Sequence, residues 1–419
     1  MKPKINYLFV VGIVGCVCFL SACKKSSDNP KPSPIMNISI SQQVAQNTSN
    51  FAFNFFNALQ QTQPDTATIF VSPLSLHMDL GMLLNGASGN TYAQLQNALA
   101  LNGLSVDDIN QTYETLLQSL PKADAQVQLA LANSMWYKNT FSVESDYANT
   151  LKNYFQAAVY PSAFGGSAVD SINNWASNNT NGKITHVLDN IDPDALMFLL
   201  NALYFKGEWA AQFDKSNTKP QTFTLENGAV KQVQMMQQTS AFAYSSNAAY
   251  SIIRLPYGNG QFSMTILLPN AGNKIEDVMN SFTANDWNTF QQDTFKMSVQ
   301  VGLPRFTIPL YKVNLIPTMQ QMGVTDAFSD MSANFSNINQ DAINGALFVY
   351  LLQQFTYLNV DETGSEAAAV TIGGMDLSVN VQPYTPPLFI CDHPFGIIIS
   401  ENTSNTILFM GRIMNPNSQ

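Results

Sequence analysis

Residues that carry catalytic or metal chemistry are scarce in this chain. Its 419 residues include 3 His and 4 Cys, and neither a His-Glu-x-x-His run nor a paired-Cys motif occurs. A Gly-x-Ser-x-Gly nucleophile elbow is also missing. We therefore expect no metal, no cofactor and no enzymatic activity. The histidines, which are His77, His186 and His393, are predicted to be structural.

Charge is equally scarce. Asp, Glu, Lys and Arg make up 11% of the residues, and the formal net charge is -10. Lys and Arg form no cluster, whereas nucleic-acid binding requires basic patches that neutralise phosphates. The composition therefore excludes a nucleic-acid partner. Hydrophobic residues make up 45% of the chain, which is enough for a large buried core.

The N-terminus has the order of an export signal. Lys2 and Lys4 precede an apolar run over 7–20, and small residues follow it. The run is shorter than the roughly 20 residues that a membrane-spanning helix needs. The tetrad Leu-Ser-Ala-Cys that ends at Cys23 resembles the lipobox of bacterial lipoproteins. This resemblance implies lipidation of Cys23 and a membrane-anchored bacterial protein, at the cell surface or facing the periplasm. An uncleaved anchor or an ordinary secretory signal is the alternative.

Three regions follow from this pattern. Residues 1–22 are predicted to be a lipoprotein signal peptide. Residues 23–41 are polar and Pro-rich, which predicts a flexible, lipid-anchored tether. Residues 42–419 contain no linker-like stretch and are predicted to be one domain. Beyond the signal and Cys23 only Cys391 remains, so an internal disulfide is excluded.

The domain mixes helical and strand-like patterns. Phe51, Phe55 and Leu59 recur at helical spacing, and Ser72 with Pro73 has the form of a helix start. Strand-like apolar runs occupy much of the second half. The fold class is therefore predicted to be α+β with large sheets.

One segment, Val360–Met375, has the properties of both a loop and a strand. It lacks Pro, and after Gly364 its one charge is Glu366. As a strand it would place mostly small side chains on one face and Glu366 on the other. The small face carries Ser365, Ala367, Ala369 and Thr371. A loop that can become a buried strand is a switch element, and an ordinary flexible loop is the alternative.

This segment resembles the hinge of the reactive-centre loop in inhibitory serpins, and residues from about 42 to the end resemble the family in order. The matching blocks are 70–75 and 85–91, 172–175 and 180–184, 200–209, 303–306 and 408–412. The resemblance implies the serpin fold, with three β-sheets, about eight or nine helices and an exposed reactive-centre loop at about 362–386.

The resemblance also implies roles for single residues. The hinge would comprise Glu362, Gly364, Ser365, Glu366, Ala367, Ala368 and Ala369. The shutter, where the central strands part, and the breach, where the loop enters, would be built from Ser72, Ser75, Asn201, Trp209, Gln354 and Arg305. Glu362 is expected to pair with Arg305. Gln354 is a departure, because the family usually has His at that position.

The implied function is irreversible suicide-substrate inhibition, in which a protease is acylated on the loop and trapped by loop insertion into the main sheet. A non-inhibitory serpin that acts as a surface binding or carrier protein is the alternative. The implied partners are the target protease and the membrane, and the protein is expected to be a monomer. No Lys/Arg run occurs over 94–110, so no heparin-type cofactor is expected.

The reactive bond is less closely defined. Counting sixteen residues from Glu362 places it at Ser378 and Val379. Counting back from residues 386–387 and 393–395 gives Pro383 instead, so the window is 375–384. No Lys or Arg lies between Thr363 and Gly411. Trypsin-like targets are therefore not expected, and elastase-, chymotrypsin-, subtilisin- or papain-like proteases are.

Overall fold

The first two helices of the structure begin at capping serines. The computed structural model describes residue 1 and residues 33–101, 103–293, 295–364 and 385–417. Helix α1 (Gln42–Thr62) begins after Ser41, whose hydroxyl accepts a hydrogen bond from the Val44 amide. Helix α2 (Pro73–Gly86) begins after Ser72 in the same way and is buried on nearly all sides. The remaining α-helices of the described residues are α3 (Gly89–Ala98), α4 (Val106–Ser119), α5 (Ser145–Tyr154), α6 (Gly166–Asn179), α7 (Ile275–Ser281), α8 (Ala284–Gln292) and α9 (Ile316–Gln321).

Fourteen strands run through the described residues. They are β1 (Ile69–Val71), β2 (Val127–Lys138), β3 (Ala158–Ser162), β4 (Met197–Gly207), β5 (Lys219–Thr224), β6 (Val230–Ser246), β7 (Tyr250–Tyr257), β8 (Phe262–Pro269), β9 (Lys296–Pro304), β10 (Phe306–Asn314), β11 (Gln353–Val360), β12 (Leu388–Ile390), β13 (Phe395–Glu401) and β14 (Ile407–Ile413).

The largest sheet forms the main part of the core. Its strand order is β1-β14-β13-β8-β7-β6-β9-β12, and β5 also pairs with β6. Strands β8, β13 and β14 are buried along their whole length, as expected for strands covered on both faces. Helices α1 and α2 pack against this sheet through apolar side chains such as Phe55 and Leu80.

Two smaller sheets lie edge to edge across a gap. Strand β2 pairs with β3 on one side and with β4 on the other, and β10 pairs with β11. Strand β4 is antiparallel to β2 from Met197 to Gly207. Within the described residues, no backbone ladder joins β4 to β11. The two strands therefore present facing edges with unpaired backbone groups.

These elements confirm the expected fold class. The described residues contain nine α-helices and three sheets in a mixed α+β arrangement, and residues 33–419 cluster as one compact unit. No helix among the described residues has the length and apolar character needed to cross a membrane. The predicted signal peptide and Cys23 lie outside the described residues, apart from residue 1.

The predicted tether differs from the structure at its C-terminal end. The flexible tether was expected over 23–41, but residues 33–40 lie against the domain. The Met36 and Ile38 amides are hydrogen-bonded to side chains of the domain, and Ile38 is buried. Apolar burial and backbone pairing at this segment are the physical reason for the difference.

Candidate functional site

The floor of the gap is the N-terminal turn of α2. The Ser72 hydroxyl accepts a hydrogen bond from the Ser75 amide at 3.1 Å. From β11, the buried Gln354 side chain accepts from the Ser72 amide at 2.7 Å and donates to the Ser72 carbonyl at 2.9 Å. The Gln354 amide thus pairs with one backbone residue in both directions, which satisfies its polar groups inside the protein.

The β4 side of the gap is tied to the same turn through a different set of side chains. The Ser75 hydroxyl donates to Asn201 Oδ1. Asn201 Nδ2 donates to Asn133 Oδ1 at 2.7 Å, and Asn133 Nδ2 donates to the Phe155 carbonyl at 2.7 Å. Ser72 and Ser75 therefore hold β11 and β4 separately, because no direct hydrogen bond links Gln354 to Asn201 among the described residues.

Between the two strands lies a narrow cavity of about 90 Å³. Residues of β4, of α6 and of the segment 347–353 line it. Asp79 of α2 borders it. Although this residue touches the cavity, its Oδ1 atom is out of contact with solvent and has no hydrogen-bond partner in the described part of the chain. Burial raises the pKa of the Asp79 carboxyl well above its usual range.

The upper end of the gap is closed by Trp209. Its indole stacks on Tyr257 with ring centroids 4.4 Å apart, and its Nε1 donates to the Asp361 carbonyl at 2.9 Å. The Trp209 amide donates to the Thr363 carbonyl at 3.0 Å, and the Phe213 amide donates to the Glu362 carbonyl at 2.9 Å. The chain leaving β11 is therefore pinned at this end, at the start of the hinge segment.

Glu362 is buried and is held by two groups. The Thr218 hydroxyl donates to its Oε1 at 2.8 Å, and Arg305 Nη1 lies 3.6 Å from the same oxygen. The pair of Glu362 and Arg305 that the resemblance implied is thus present in the structure. Arg305 is half-exposed, so the hydrogen bond from Thr218 is the shorter and better-shielded of the two contacts.

Gly364 is the last described residue before the loop, and its position requires glycine. Its φ of +99° lies in the left-handed region. A Cβ added there would lie 2.5 Å from the Gly207 carbonyl oxygen and 2.3 Å from the Trp209 amide nitrogen. The remaining hinge residues and the reactive bond lie outside the described residues; they are Ser365, Glu366, Ala367, Ala368, Ala369, Ser378 and Val379.

The histidines occupy separate structural settings. His77 is buried, its Nδ1 lies 2.8 Å from the Tyr113 hydroxyl, and burial lowers its pKa to about 4. His186 contacts the Asp189 carboxylate at 2.7 Å on the surface. His393 contacts Asp392, which raises its pKa. Cys391 is fully buried, and its thiol pKa is raised by that burial.

Two features of the site were missed by sequence reasoning. Asp79 interrupts an apolar helical run between Met78 and Leu80, and that interruption was the available signal. Thr218 carried no signal, because its role depends on contact with Glu362, 144 positions away.

The gap between two strand edges, the polar floor and the pinned loop root together define the class of protein. A family model described as Serpin (serine protease inhibitor) matches residues 46–416. The leukocyte elastase inhibitor of Equus caballus is 32% identical over 90% of this chain and 100% of its own length. The chain belongs to the serpin family, as the sequence resemblance predicted.

Solved structures agree with this assignment. The thermophilic serpin tengpin in its native state matches with a TM-score of 0.80 and 28% identity, over 92% of this chain and 97% of its own. Human thyroxine-binding globulin, solved in complex with thyroxine, matches with a TM-score of 0.78 and 26% identity, over 90% and 99%. The described residues therefore have the serpin fold.

Proposed function

We propose that this protein is an irreversible suicide-substrate inhibitor of proteases and not an enzyme. The observation that carries the proposal is the gap between β4 and β11, with Gly364 at its upper end. Strands β4 and β11 both run toward that end. Gly207 is the last residue of β4 and Val360 the last of β11, and the contact between Trp209 and Thr363 lies just beyond both. A chain that turned back at Gly364 and entered the gap would be antiparallel to both edges and could satisfy their backbone groups.

The chemistry would be supplied by the target. Its Ser hydroxyl or Cys thiol attacks the scissile carbonyl of the loop, forming an acyl-enzyme and releasing the new amino terminus. The cut frees the hinge, which inserts as a new strand. Sixteen residues at about 3.3 Å each would carry the attached protease about 50 Å. Distortion of the protease at the far end then prevents water from cleaving the ester or thioester.

The native state leaves favourable contacts unmade, and this supports the proposal. The cavity lining lacks packing partners on one side, so an inserted strand would gain dispersion contacts there. The strand would also gain a ladder with two edges. Insertion is therefore downhill once the loop is cut.

The target class is inferred from the loop sequence. Within the window 375–384, Met375, Leu377, Ser378 and Val379 are small or apolar. They fit elastase-, chymotrypsin-, subtilisin- or papain-like pockets better than a trypsin-like pocket. We further propose that the protein is a monomer anchored through Cys23 to a bacterial membrane.

A surface carrier protein is the second candidate, favoured by the structural match to thyroxine-binding globulin. Its weakness is the hinge. Small residues at Ser365 and over 367–369 suit insertion into a crowded sheet, and a carrier has no need of them.

The deciding experiment is incubation with one protease from each proposed class, followed by denaturing gel electrophoresis. An inhibitor gives a complex that survives SDS, and mass spectrometry of the released C-terminal peptide identifies the bond. Protease with its nucleophile chemically blocked is the control and should give no complex. Loop cleavage with no complex and no gain in melting temperature would contradict the proposal and favour the carrier.

A further inference from the structure

The segment 33–40, which we name the strap, is fixed to the domain by side chains of two turns. Gln261 Oε1 accepts from the Met36 amide at 2.7 Å, and Gln261 Nε2 donates to the Met36 carbonyl at 2.7 Å. Thr403 Oγ1 accepts from the Ile38 amide at 3.0 Å. Asn259 Nδ2 donates to the Ser33 carbonyl at 3.1 Å.

The strap receptor is itself braced from behind. Gln261 is fully buried, and its Nε2 also donates to Glu401 Oε1 at 2.5 Å. The fully buried Glu401 carboxylate further accepts from the Thr403 amide at 2.8 Å and the Ser404 amide at 2.8 Å. A buried charge that accepts several hydrogen bonds holds its donors in one geometry. The strap thus docks on a preorganised surface.

Docking changes how far the lipid at Cys23 can reach. A chain spans at most about 3.3–3.6 Å per residue. With the strap free, the nineteen steps from Cys23 to Gln42 could span about 65 Å. With the strap docked, the ten steps from Cys23 to Ser33 could span about 35 Å. The hydrogen bonds at Ser33, Met36 and Ile38 therefore remove nearly half of the reach.

The docked strap ends beside the root of the loop. Asn259, which holds Ser33, follows Gly258, whose amide donates to the Glu208 carbonyl at 2.7 Å. The next residue, Trp209, donates from its amide to Thr363 at 3.0 Å. The five steps from Ser33 to Thr363, at about 4–6 Å each, place the end of the strap at most about 30 Å from the root of the loop.

The opposite end of the domain is separated from the loop root by at least the length of β4. Strand β4 alone extends about 35 Å from Gly207 back to Met197. Gln340 lies beyond that end, since its neighbour Asn339 donates to the Ser142 carbonyl in the turn after β2.

We propose that the docked strap presents the loop-root end of the domain to a phospholipid bilayer, so that the anchored protein intercepts proteases at the membrane surface. The inference rests on the proposed anchoring through Cys23. A captured protease starts close to the bilayer and is carried away from it by insertion.

Orientation can be measured without any protease. Asn217 neighbours Thr218 at the loop-root end, and both Asn217 and Gln340 are exposed. Single dyes on Asn217→Cys and Gln340→Cys, in full-length lipidated protein on phosphatidylcholine–phosphatidylglycerol vesicles, are paired with an acceptor on the headgroups. Energy transfer should be at least about twofold higher at position 217, because β4 separates the labels by about 35 Å.

Two changes test the role of the strap. A flexible insert of twenty residues after Pro32 should abolish the difference, because it restores reach without touching a packed residue. Asn259→Ala with Thr403→Val should reduce the difference by releasing the strap. Asn247→Ala is the matched control, since Asn247 caps the turn between β6 and β7 and does not touch the strap.

Equal transfer at both positions, or higher transfer at Gln340, would overturn the proposal while leaving protease inhibition untouched. Protein that fails to bind vesicles at all, as Cys23→Ser should, would overturn the anchoring instead. Inhibition measured in solution with Cys23→Ser tests the inhibitor function separately from both outcomes.

Discussion

Gln354 and Ser72, 282 positions apart, exchange two hydrogen bonds, one in each direction between a side-chain amide and a backbone residue. The contact fastens β11 to the start of α2. Since an amide does not titrate, this link should have the same strength across pH 5–8. A histidine at this position would change its hydrogen bonding in that range.

Gln354→Ala should destabilise the native protein by about 2–3 kcal/mol, because the buried Ser72 amide loses its acceptor. Gln353→Ala, one residue away and half-buried, is the control and should cost less than about 1 kcal/mol. Urea unfolding of the uncleaved protein measures both. Equal effects would mean that the side-chain pairing with Ser72 is unimportant.

Gly364→Ala tests the close approach of the loop root to Gly207. The φ is +99°, and backbone atoms lie within 3 Å of the new Cβ. Together these should lower the free energy of unfolding by roughly 2–4 kcal/mol. Gly228→Ala isolates the effect of φ, since Gly228 has a φ of +81° with open space around it; its cost should be about 1 kcal/mol. Melting temperatures compare the two, and a similar loss in both would argue against steric contact with Gly207.

Asp79→Asn should raise the melting temperature at neutral pH. Burial raises the pKa of Asp79, so the unfolded carboxyl is ionised above about pH 4 while the folded one resists ionisation. The penalty is therefore greatest above the folded pKa, shrinks as pH falls below it, and is gone below the unfolded pKa of about 4. The advantage of the variant should shrink toward pH 4.

Asp108→Asn provides a control of opposite sign. Its side-chain hydrogen bond with Ser105 lowers the pKa of Asp108, so its stabilisation is present above the unfolded pKa and lost in acid. This variant should melt lower than wild type at pH 7 and converge with it at low pH. If Asp79→Asn showed the same sign as Asp108→Asn, the buried carboxyl would have to be stabilising.

Ser365→Arg tests hinge insertion. Insertion would bury this side chain between the strands, and an unpaired buried charge costs several kcal/mol. The variant should be cut at the same bond but form no SDS-stable complex. Glu366→Arg is the matched control, because strand alternation puts position 366 on the opposite face; it should still inhibit. Full inhibition by Ser365→Arg would exclude insertion along this register.

Trypsin should be inhibited poorly. The absence of Lys and Arg between Thr363 and Gly411 leaves nothing to pair with the carboxylate in a trypsin-like pocket. Association rates for trypsin and for an elastase, measured under the same conditions, should differ by at least about a hundredfold, or about 2.7 kcal/mol. Rapid trypsin inhibition through the loop would reject the proposed target class.

Local patterns were sufficient for much of this protein. The capping residues Ser41 and Ser72 determined two helix starts, because the hydroxyl that satisfies a free amide lies within three residues of it. Ordered blocks along the chain identified the family. The resemblance included Gly364 in the hinge, but the need for glycine there became apparent only from its φ and its close approach to Gly207.

Tertiary structure decided the rest. Gln354 pairs with Ser72, and the strap docks on Gln261, across more than 200 positions of the chain. The unpaired edges of β4 and β11 depend on which strands fail to pair. Periodicity reports only which face of an element is apolar. It does not specify the partner of that face. Residues 33–40, which were assigned to the tether together with the polar stretch before them, are part of the folded domain because Gln261 and Thr403 bind their backbone and Ile38 is buried.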